Sequence, residues 1–168
     1  TTEKDPTSDN LGTTIWDASV ILVRYMERNP HLYSRRKLEG KRVLELGAGC
    51  GLAGMYFALQ GAHVTFTDLV SYCRTRAQRL RTRNSLTPKR AHPRSRIIRS
   101  NTEQVLEYDW GTPLEKLSPP YDYVVACDCV YVERLVESLV WSMAQCSGRT
   151  TTVLVASEKR EEITYAKF

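Results

Sequence analysis

The sequence lacks any long run of apolar residues. Its densest apolar stretch, residues 20–23, ends at Arg24, whereas a membrane-spanning helix needs about 20 such residues. Internal repeats and low-complexity segments are also absent. The 168 residues, of which 42% are hydrophobic and 26% charged, are typical of one globular domain with a substantial core. We therefore expect a single domain, a monomer and no membrane partner.

Cysteine is scarce and shows no framework pattern. The five cysteines are Cys50, Cys73, Cys127, Cys129 and Cys146. Their odd number and mostly apolar neighbours predict reduced thiols in the cytoplasm or the nucleus, not disulfides. Cys127 and Cys129 have neither a second cysteine pair nor a histidine beside them. Because a structural zinc site takes four such ligands, we expect no metal site.

Acidic residues are absent from residues 69–102, where ten Arg and Lys residues lie. A basic segment of this kind can bind nucleic acid or an acidic protein, or it can be a solvated helix face and loop. Aromatic side chains that would stack on bases are nearly absent, with only Tyr72 and His92. We therefore favour a solvated surface, and nucleic-acid binding through this segment is possible but not favoured.

Glycine is also infrequent, yet four of the nine glycines lie in residues 43–54, VLELGAGCGLAG. One apolar run precedes these glycines and a second follows them. This order predicts a strand, a tight turn and a helix that ends at Gly61. Such glycines permit positive φ and let backbone N–H groups approach a ligand. A second strand, residues 62–67, leads to Asp68, and a carboxylate there suits the two hydroxyls of a ribose. The pattern predicts a nucleoside-containing cofactor at the C-terminal edge of a parallel sheet.

Two cofactors fit this pattern. Gly49, Gly51 and Gly54 satisfy the G-x-G-x-x-G fingerprint of dinucleotide binding, and the spacing to Asp68 suits NAD. S-adenosylmethionine is favoured because the glycines begin earlier, at Gly47, and Glu45 lies in the strand before them. A carboxylate there would oppose a pyrophosphate but would help to hold a cationic amino-acid group.

Strands and helices alternate along the chain, which predicts an α/β fold with a parallel sheet and right-handed crossovers. Trp16 precedes an apolar helix at 18–26, and on pattern alone its expected place is the core. The remaining predictions are a loose segment at 1–11, a basic linker at 34–41, helices at 72–83, 133–145 and from 158, a loop at 84–96, and strands at 104–108 (preferred to 96–99), 121–127 and 151–156. For the helix at 133–145, the expected inner face is Leu135, Leu139, Val140 and Met143.

The chain resembles the class I, seven-strand S-adenosylmethionine-dependent methyltransferases, and more narrowly the methyltransferase-like protein-lysine methyltransferases. The resemblance covers about residues 12–168. It rests on the glycine motif combined with Trp-Asp before it, Trp-Gly after the third strand and Asp-x-x-Tyr after the fourth. The matching positions are 12–18, 43–52, Asp68, 109–111 and 128–131. It implies a Rossmann-like, mostly parallel, doubly wound sheet and one cofactor-binding methyltransferase domain.

The resemblance also implies roles for individual residues. The residues that would line the cofactor are Trp16, Glu45, Gly47, Gly49, Gly51, Asp68, Trp110 and Cys127. Of these, Asp68 would hold the ribose, Trp110 and its neighbours the adenine, and Glu45 with the glycine turn the methionine end. Asp128 and Tyr131 would face the target as the candidate catalytic residues.

The chemistry of lysine methylation is compatible with these roles. A target lysine has a pKa of about 10.4 and must lose a proton before it attacks; an apolar pocket beside a sulfonium lowers that pKa. Asp128 favours the ammonium form, so its expected role is to capture and orient the amine. Tyr131 would add a wall that faces the cation. The alternative for Asp128 is a cap on the following helix.

The chain departs from the family pattern in its basic segment and in its C-terminal strands. The family's sheet ends with an antiparallel sixth and seventh strand, and no such strands follow the fifth here, so we expect an incompletely covered edge. Three functions stay open: protein-lysine methylation, methylation of RNA or a small molecule, and an inactive cofactor-binding scaffold. The resemblance favours lysine methylation, and the absence of an Asn-Pro-Pro-Tyr motif after the fourth strand weighs against RNA.

Overall fold

The computed structural model describes residues 14–69, 103–159 and 162–168. Five parallel strands form one sheet in the order β3-β2-β1-β4-β5. The strands are β1 (Arg42–Leu46), β2 (His63–Asp68), β3 (Glu103–Glu107), β4 (Tyr121–Cys127) and β5 (Ser147–Ala156). The strand order reverses between β1 and β4, and parallel sheets bind ligands in the crevice at such a switch point. The predicted Rossmann-like α/β fold is confirmed.

Helices cover both faces of the sheet. They are α1 (Asp17–Arg28), α2 (Pro30–Tyr33), α3 (Arg35–Leu38), α4 (Leu52–Leu59), α5 (Glu133–Cys146) and α6 (Glu162–Lys167). On one face, Met26 of α1 and Phe57 of α4 pack in one cluster with the strand residue Val125. On the other, Leu139 of α5 packs in a second cluster with Leu44. Burial on both faces explains why the inner strands are almost continuously apolar.

Most predicted elements are confirmed, with three corrections. The linker at 34–41 contains α3, because Leu38 among its basic residues is buried. On the inner face of α5, Val136 is buried in place of Val140, which is exposed. Strand β5 begins at Ser147 and not at residue 151. Its threonine-rich start pairs with β4, and the Thr151 hydroxyl donates to the Tyr121 carbonyl at 2.6 Å.

Several predictions lie outside the described residues. These are the segment 1–11, the helix at 72–83, the loop at 84–96, the alternative strand at 96–99 and all but Leu69 of the basic segment. Within 14–69, 103–159 and 162–168, the helices are all too short or too polar to cross a membrane.

The N-terminal edge of the sheet is held by a polar cluster. Asp122, in β4, accepts hydrogen bonds from the Arg42 main-chain N–H and the Lys41 ammonium, both at 2.8 Å. The Arg42 guanidinium lies 5.0 Å from the centre of the Tyr121 ring. These contacts join the start of β1 to the start of β4, at the end of the sheet opposite the glycine turn.

Candidate functional site

The glycine turn between β1 and α4 has no room for a side chain at Gly47. Gly47, Gly49 and Gly51 have φ values of 59°, 46° and 64°, which L-residues with a Cβ adopt reluctantly. A Cβ on Gly47 would lie 2.8 Å from the Cys129 Sγ and 2.9 Å from Cζ2 of Trp110. The turn is tied to β2 because the Ala48 N–H donates to the Thr67 carbonyl at 2.9 Å. Its backbone is thus an open cradle facing the end of the sheet.

Glu45 is a buried carboxylate inside β1, with 2% of its surface exposed. Its Oε2 accepts the Gly54 N–H at 3.1 Å, and a Cβ on Gly54 would lie 2.5 Å from that oxygen. The Thr67 hydroxyl donates to the Glu45 carbonyl at 2.8 Å. Glu45 therefore fixes the first turn of α4 against β1 while it also lines the cleft beside the glycine turn.

Asp68 ends β2 and bridges it to the glycine turn. Its Oδ2 accepts the Gly49 N–H at 2.6 Å, and its Oδ1 accepts the Leu69 N–H at 2.8 Å. Each carboxylate oxygen carries two lone pairs and can accept more than one hydrogen bond. Asp68 lines the cleft, and its role toward the ribose stays a prediction.

Two tryptophans line the cleft from separate segments. Trp110 follows β3 and lies against Gly47. Trp16 is the N-cap of α1, and its carbonyl accepts the Ser19 N–H at 3.0 Å. The interpretation of Trp16 as a core residue is wrong: it precedes the helix and does not share the buried face that carries Leu22 and Met26.

Asp128 follows β4 in the left-handed region, with a φ of 56°. It is 8% exposed. Its N–H donates to the Ala156 carbonyl at 2.7 Å, and its Oδ1 accepts the Glu158 N–H at 3.4 Å. The helix-cap alternative is wrong, because the N-cap of α5 is Val132 and no side chain caps that helix. Asp128 is held instead by the end of β5.

The predicted site residues converge on one cleft of about 200 Å³ at the C-terminal edge of the sheet. The ten that line it are Trp16, Glu45, Gly47, Gly49, Gly51, Asp68, Trp110, Cys127, Asp128 and Tyr131. Their individual roles stay predictions. Sequence reasoning missed other lining residues, among them Cys50, Tyr108, Cys129 and Leu135. Cys50 and Cys129 adjoin predicted site residues and Tyr108 lies two positions before Trp110, which is the signal that would have found them; Leu135 was expected in the core.

Burial raises the pKa of three of the described cysteines, two of which line the cleft. Burial raises the pKa of Cys127, and Glu45 and Asp128 raise it further. Burial likewise raises the pKa of Cys129, whose thiol lies 3.4 Å from both the Leu46 and the Cys127 carbonyl oxygens. Burial raises the pKa of Cys146 to about 11. Since the thiolate is the reactive form, these three cysteines are chemically quiet near neutral pH.

We expect thiol alkylation at pH 8 to modify Cys50 well before Cys127, Cys129 and Cys146. Cys50 lines the cleft and is partly exposed, whereas a raised pKa leaves less thiolate on Cys127, Cys129 and Cys146 at any given pH. Timed labelling with iodoacetamide followed by peptide mass spectrometry measures the rates. Protein unfolded in urea is the control, in which the four rates should converge. Labelling of Cys129 as fast as Cys50 in the folded protein would contradict the burial described here.

Comparison with known proteins identifies the family. The family model described as "Lysine methyltransferase" matches residues 2–168. The chain is 30% identical over 155 residues to EEF1A lysine methyltransferase 3 of Xenopus tropicalis, covering 91% of this chain and 61% of that protein. It is 35% identical over 154 residues to protein N-lysine methyltransferase METTL21A of Danio rerio, covering 90% of this chain and 63% of that protein. The chain thus spans about three fifths of the length of these relatives.

Solved structures show the same fold at low sequence identity. The glycopeptide N-methyltransferase MtfA matches with a TM-score of 0.58 and 18% identity, over 92% of this chain and 62% of that one. Magnesium protoporphyrin IX methyltransferase from Synechocystis PCC 6803, with bound SAM, matches with a TM-score of 0.57 and 15% identity, over 99% of this chain and 73% of that one. With the family model matching nearly the whole sequence, the chain belongs to the lysine methyltransferase family.

Proposed function

We propose that this chain carries an S-adenosylmethionine-dependent methyltransferase activity directed at a lysine side chain of a protein substrate. The observation that carries the proposal is the convergence of the predicted cofactor residues and the predicted target-facing residues on one cleft. The names of the two curated relatives, both protein-lysine methyltransferases, support the same substrate class.

The residues of the cleft fit this cofactor. When bound, S-adenosylmethionine supplies a methyl group already activated on a sulfonium sulfur. The glycine turn lines the cleft and gives the backbone close access to a ligand. Asp68 offers acceptors to the ribose hydroxyls, and Trp110 offers an aromatic wall to the adenine. The buried Glu45 provides negative potential beside the amino group of the methionine end.

Asp128 and Tyr131 would receive the target lysine. The carboxylate of Asp128 attracts the ammonium and orients it, and the exposed Tyr131 ring gives the cation a face at the mouth of the cleft. Cys129 and Leu135 add apolar surface, which disfavours the charged amine and lowers its pKa. The released proton passes to water or to Asp128.

We also propose a monomer located in the cytoplasm or the nucleus. The four described cysteines, Cys50, Cys127, Cys129 and Cys146, are free thiols, which suits a reducing compartment. Sedimentation of the purified protein and imaging of a tagged copy in cells measure the two properties directly.

The proposal is tested with S-adenosylmethionine carrying a labelled methyl group and a cell extract that lacks its own copy of the protein. We expect label in the extract that protease treatment releases and that maps to lysine by mass spectrometry. Heat-denatured protein gives the background. Label removed only by nuclease would replace the protein substrate with RNA, and label only in small molecules would replace it with a metabolite. Cofactor binding without any transfer would make the chain a scaffold.

A further inference from the structure

A buried hydroxyl network joins the Trp110 turn to α5. Ser142, which is 0% exposed, accepts the Gly111 N–H at 2.9 Å and lies 3.0 Å from the Tyr108 hydroxyl oxygen. Its own hydroxyl donates to the Ser138 carbonyl at 2.8 Å. A serine hydroxyl has one proton and two lone pairs, so these three bonds use its full capacity. Ser142 is therefore a hub between the segment after β3 and the helix.

The Tyr108 hydroxyl has one proton for two acceptors within reach, of which the Ser142 oxygen is one. Burial raises the pKa of Tyr108, so its phenol keeps its proton at neutral pH. That hydroxyl also lies 3.2 Å from the Thr112 carbonyl oxygen. The network thus spans both sides of Trp110, with Tyr108 on one side and Gly111 with Thr112 on the other.

The shape of α5 complements this turn. Gly111 has a φ of 82°, and a Cβ there would lie 2.9 Å from the Ser138 Oγ. Ser138 and Ser142 are one helical turn apart and form a notch that receives the Gly111 backbone. Trp110 is therefore fixed between this notch and Gly47, whose missing Cβ would lie 2.9 Å from the indole Cζ2.

We propose that Ser142 is a positioning residue for cofactor recognition: through Gly111 and Tyr108 it sets the place of the Trp110 indole, and so the affinity of the cleft for the adenine base. This inference rests on the cofactor assignment of the proposed function but not on its lysine substrate. Ser142 itself lies behind the wall and is not among the residues that line the cleft.

The test compares two ligands in Ser142→Ala. S-adenosylhomocysteine carries the base, whereas S-ribosylhomocysteine has the same ribose and amino-acid end without it. We expect Ser142→Ala to weaken binding of the first about tenfold, because buried partners lose their hydrogen bonds and the indole shifts. Binding of the second, measured by competition, should stay unchanged. Fluorescence of Trp110 in a Trp16→Phe, Trp141→Phe background reports the indole directly, and its quenching by S-adenosylhomocysteine should diminish.

The matched control is Ser147→Ala, which removes a hydroxyl bond of the same kind, donated at 2.7 Å to the Met143 carbonyl, without touching the Trp110 turn. Both variants are compared at equal folded fraction, determined by urea unfolding. A second variant, Tyr108→Phe, tests the network from its other end, and its effect should not add to that of Ser142→Ala. Equal loss for both ligands, or none for either, would overturn the inference. Failure of unmutated protein to bind S-adenosylhomocysteine would instead overturn the proposed cofactor.

Discussion

Asp68→Ala is expected to weaken binding of S-adenosylhomocysteine by about 100-fold, or about 3 kcal/mol. The carboxylate accepts the Gly49 N–H at 2.6 Å and, in the proposed function, also accepts both ribose hydroxyls. Hydrogen bonds to a charged acceptor contribute about 1.5–3 kcal/mol each. Alanine removes the ligand contacts and the bond that fixes the glycine turn, so both losses act on the same cleft. Isothermal calorimetry measures the affinity.

The control for Asp68→Ala is Asp122→Ala at the opposite edge of the sheet. Asp122 also accepts a main-chain N–H, that of Arg42 at 2.8 Å, and through it joins β4 to the start of β1. Its loss should lower the free energy of unfolding by about 1–2 kcal/mol and leave the affinity unchanged. Asp68→Asn, which keeps one acceptor oxygen, should fall between wild type and Asp68→Ala. Unchanged affinity in Asp68→Ala would refute the ribose assignment.

The glycine turn shows how far a local pattern can carry a structural prediction. Two apolar runs separated by glycines predict a strand, a turn and a helix from local sequence alone. Strand β1 and helix α4 lie where this pattern predicts them. Because β1, β2 and β4 are parallel neighbours, their C-terminal ends meet at one edge. For that reason Gly47, Asp68 and Asp128 could be placed together from sequence before any distance was known.

Features that depend on tertiary contacts were not predictable in the same way. Leu38 lies in a basic segment, and only packing against the core shows that it belongs to a helix. Val136 and Val140 are equivalent in composition, and the direction of α5 over the sheet decides which is buried. The place of Trp16 depended on whether α1 begins before or after it, a boundary that propensity does not determine.

Two of the carboxylates that line the cleft, Glu45 and Asp128, illustrate the same limit for the site. Sequence reasoning assigned Glu45 to the methionine end, but the structure shows one of its oxygens bound to the Gly54 N–H. Glu45 therefore has a structural role that a motif cannot reveal, in addition to its predicted one. The sequence also allowed Asp128 to cap the following helix, but the N-cap of α5 is Val132.

Asp128→Asn is expected to reduce methyl transfer about 100-fold while the affinity for S-adenosylhomocysteine stays within about twofold. Asparagine keeps the size of the side chain and tolerates the left-handed backbone, here with a φ of 56°. It removes only the charge that we propose attracts and orients the ammonium. Single-turnover transfer to the identified protein substrate, with calorimetry on the same preparation, separates transfer from cofactor binding.

Asp128→Gly and Asp128→Ala separate the effect of the carboxylate charge from the effect of the left-handed backbone. Glycine relieves the left-handed strain, whereas alanine retains a Cβ and costs about 1 kcal/mol there. If the carboxylate acts on the amine, all three variants should lose transfer to a similar extent, although Asp128→Ala should lose the most stability, because Asp128→Gly loses the same bond from the Glu158 N–H but relieves the backbone. If Asp128 serves only to join β4 to β5, through the Ala156 carbonyl and the Glu158 N–H, transfer should follow stability, and Asp128→Asn should remain active. The result for Asp128→Asn therefore decides whether the strained backbone exists to present a charge to the substrate.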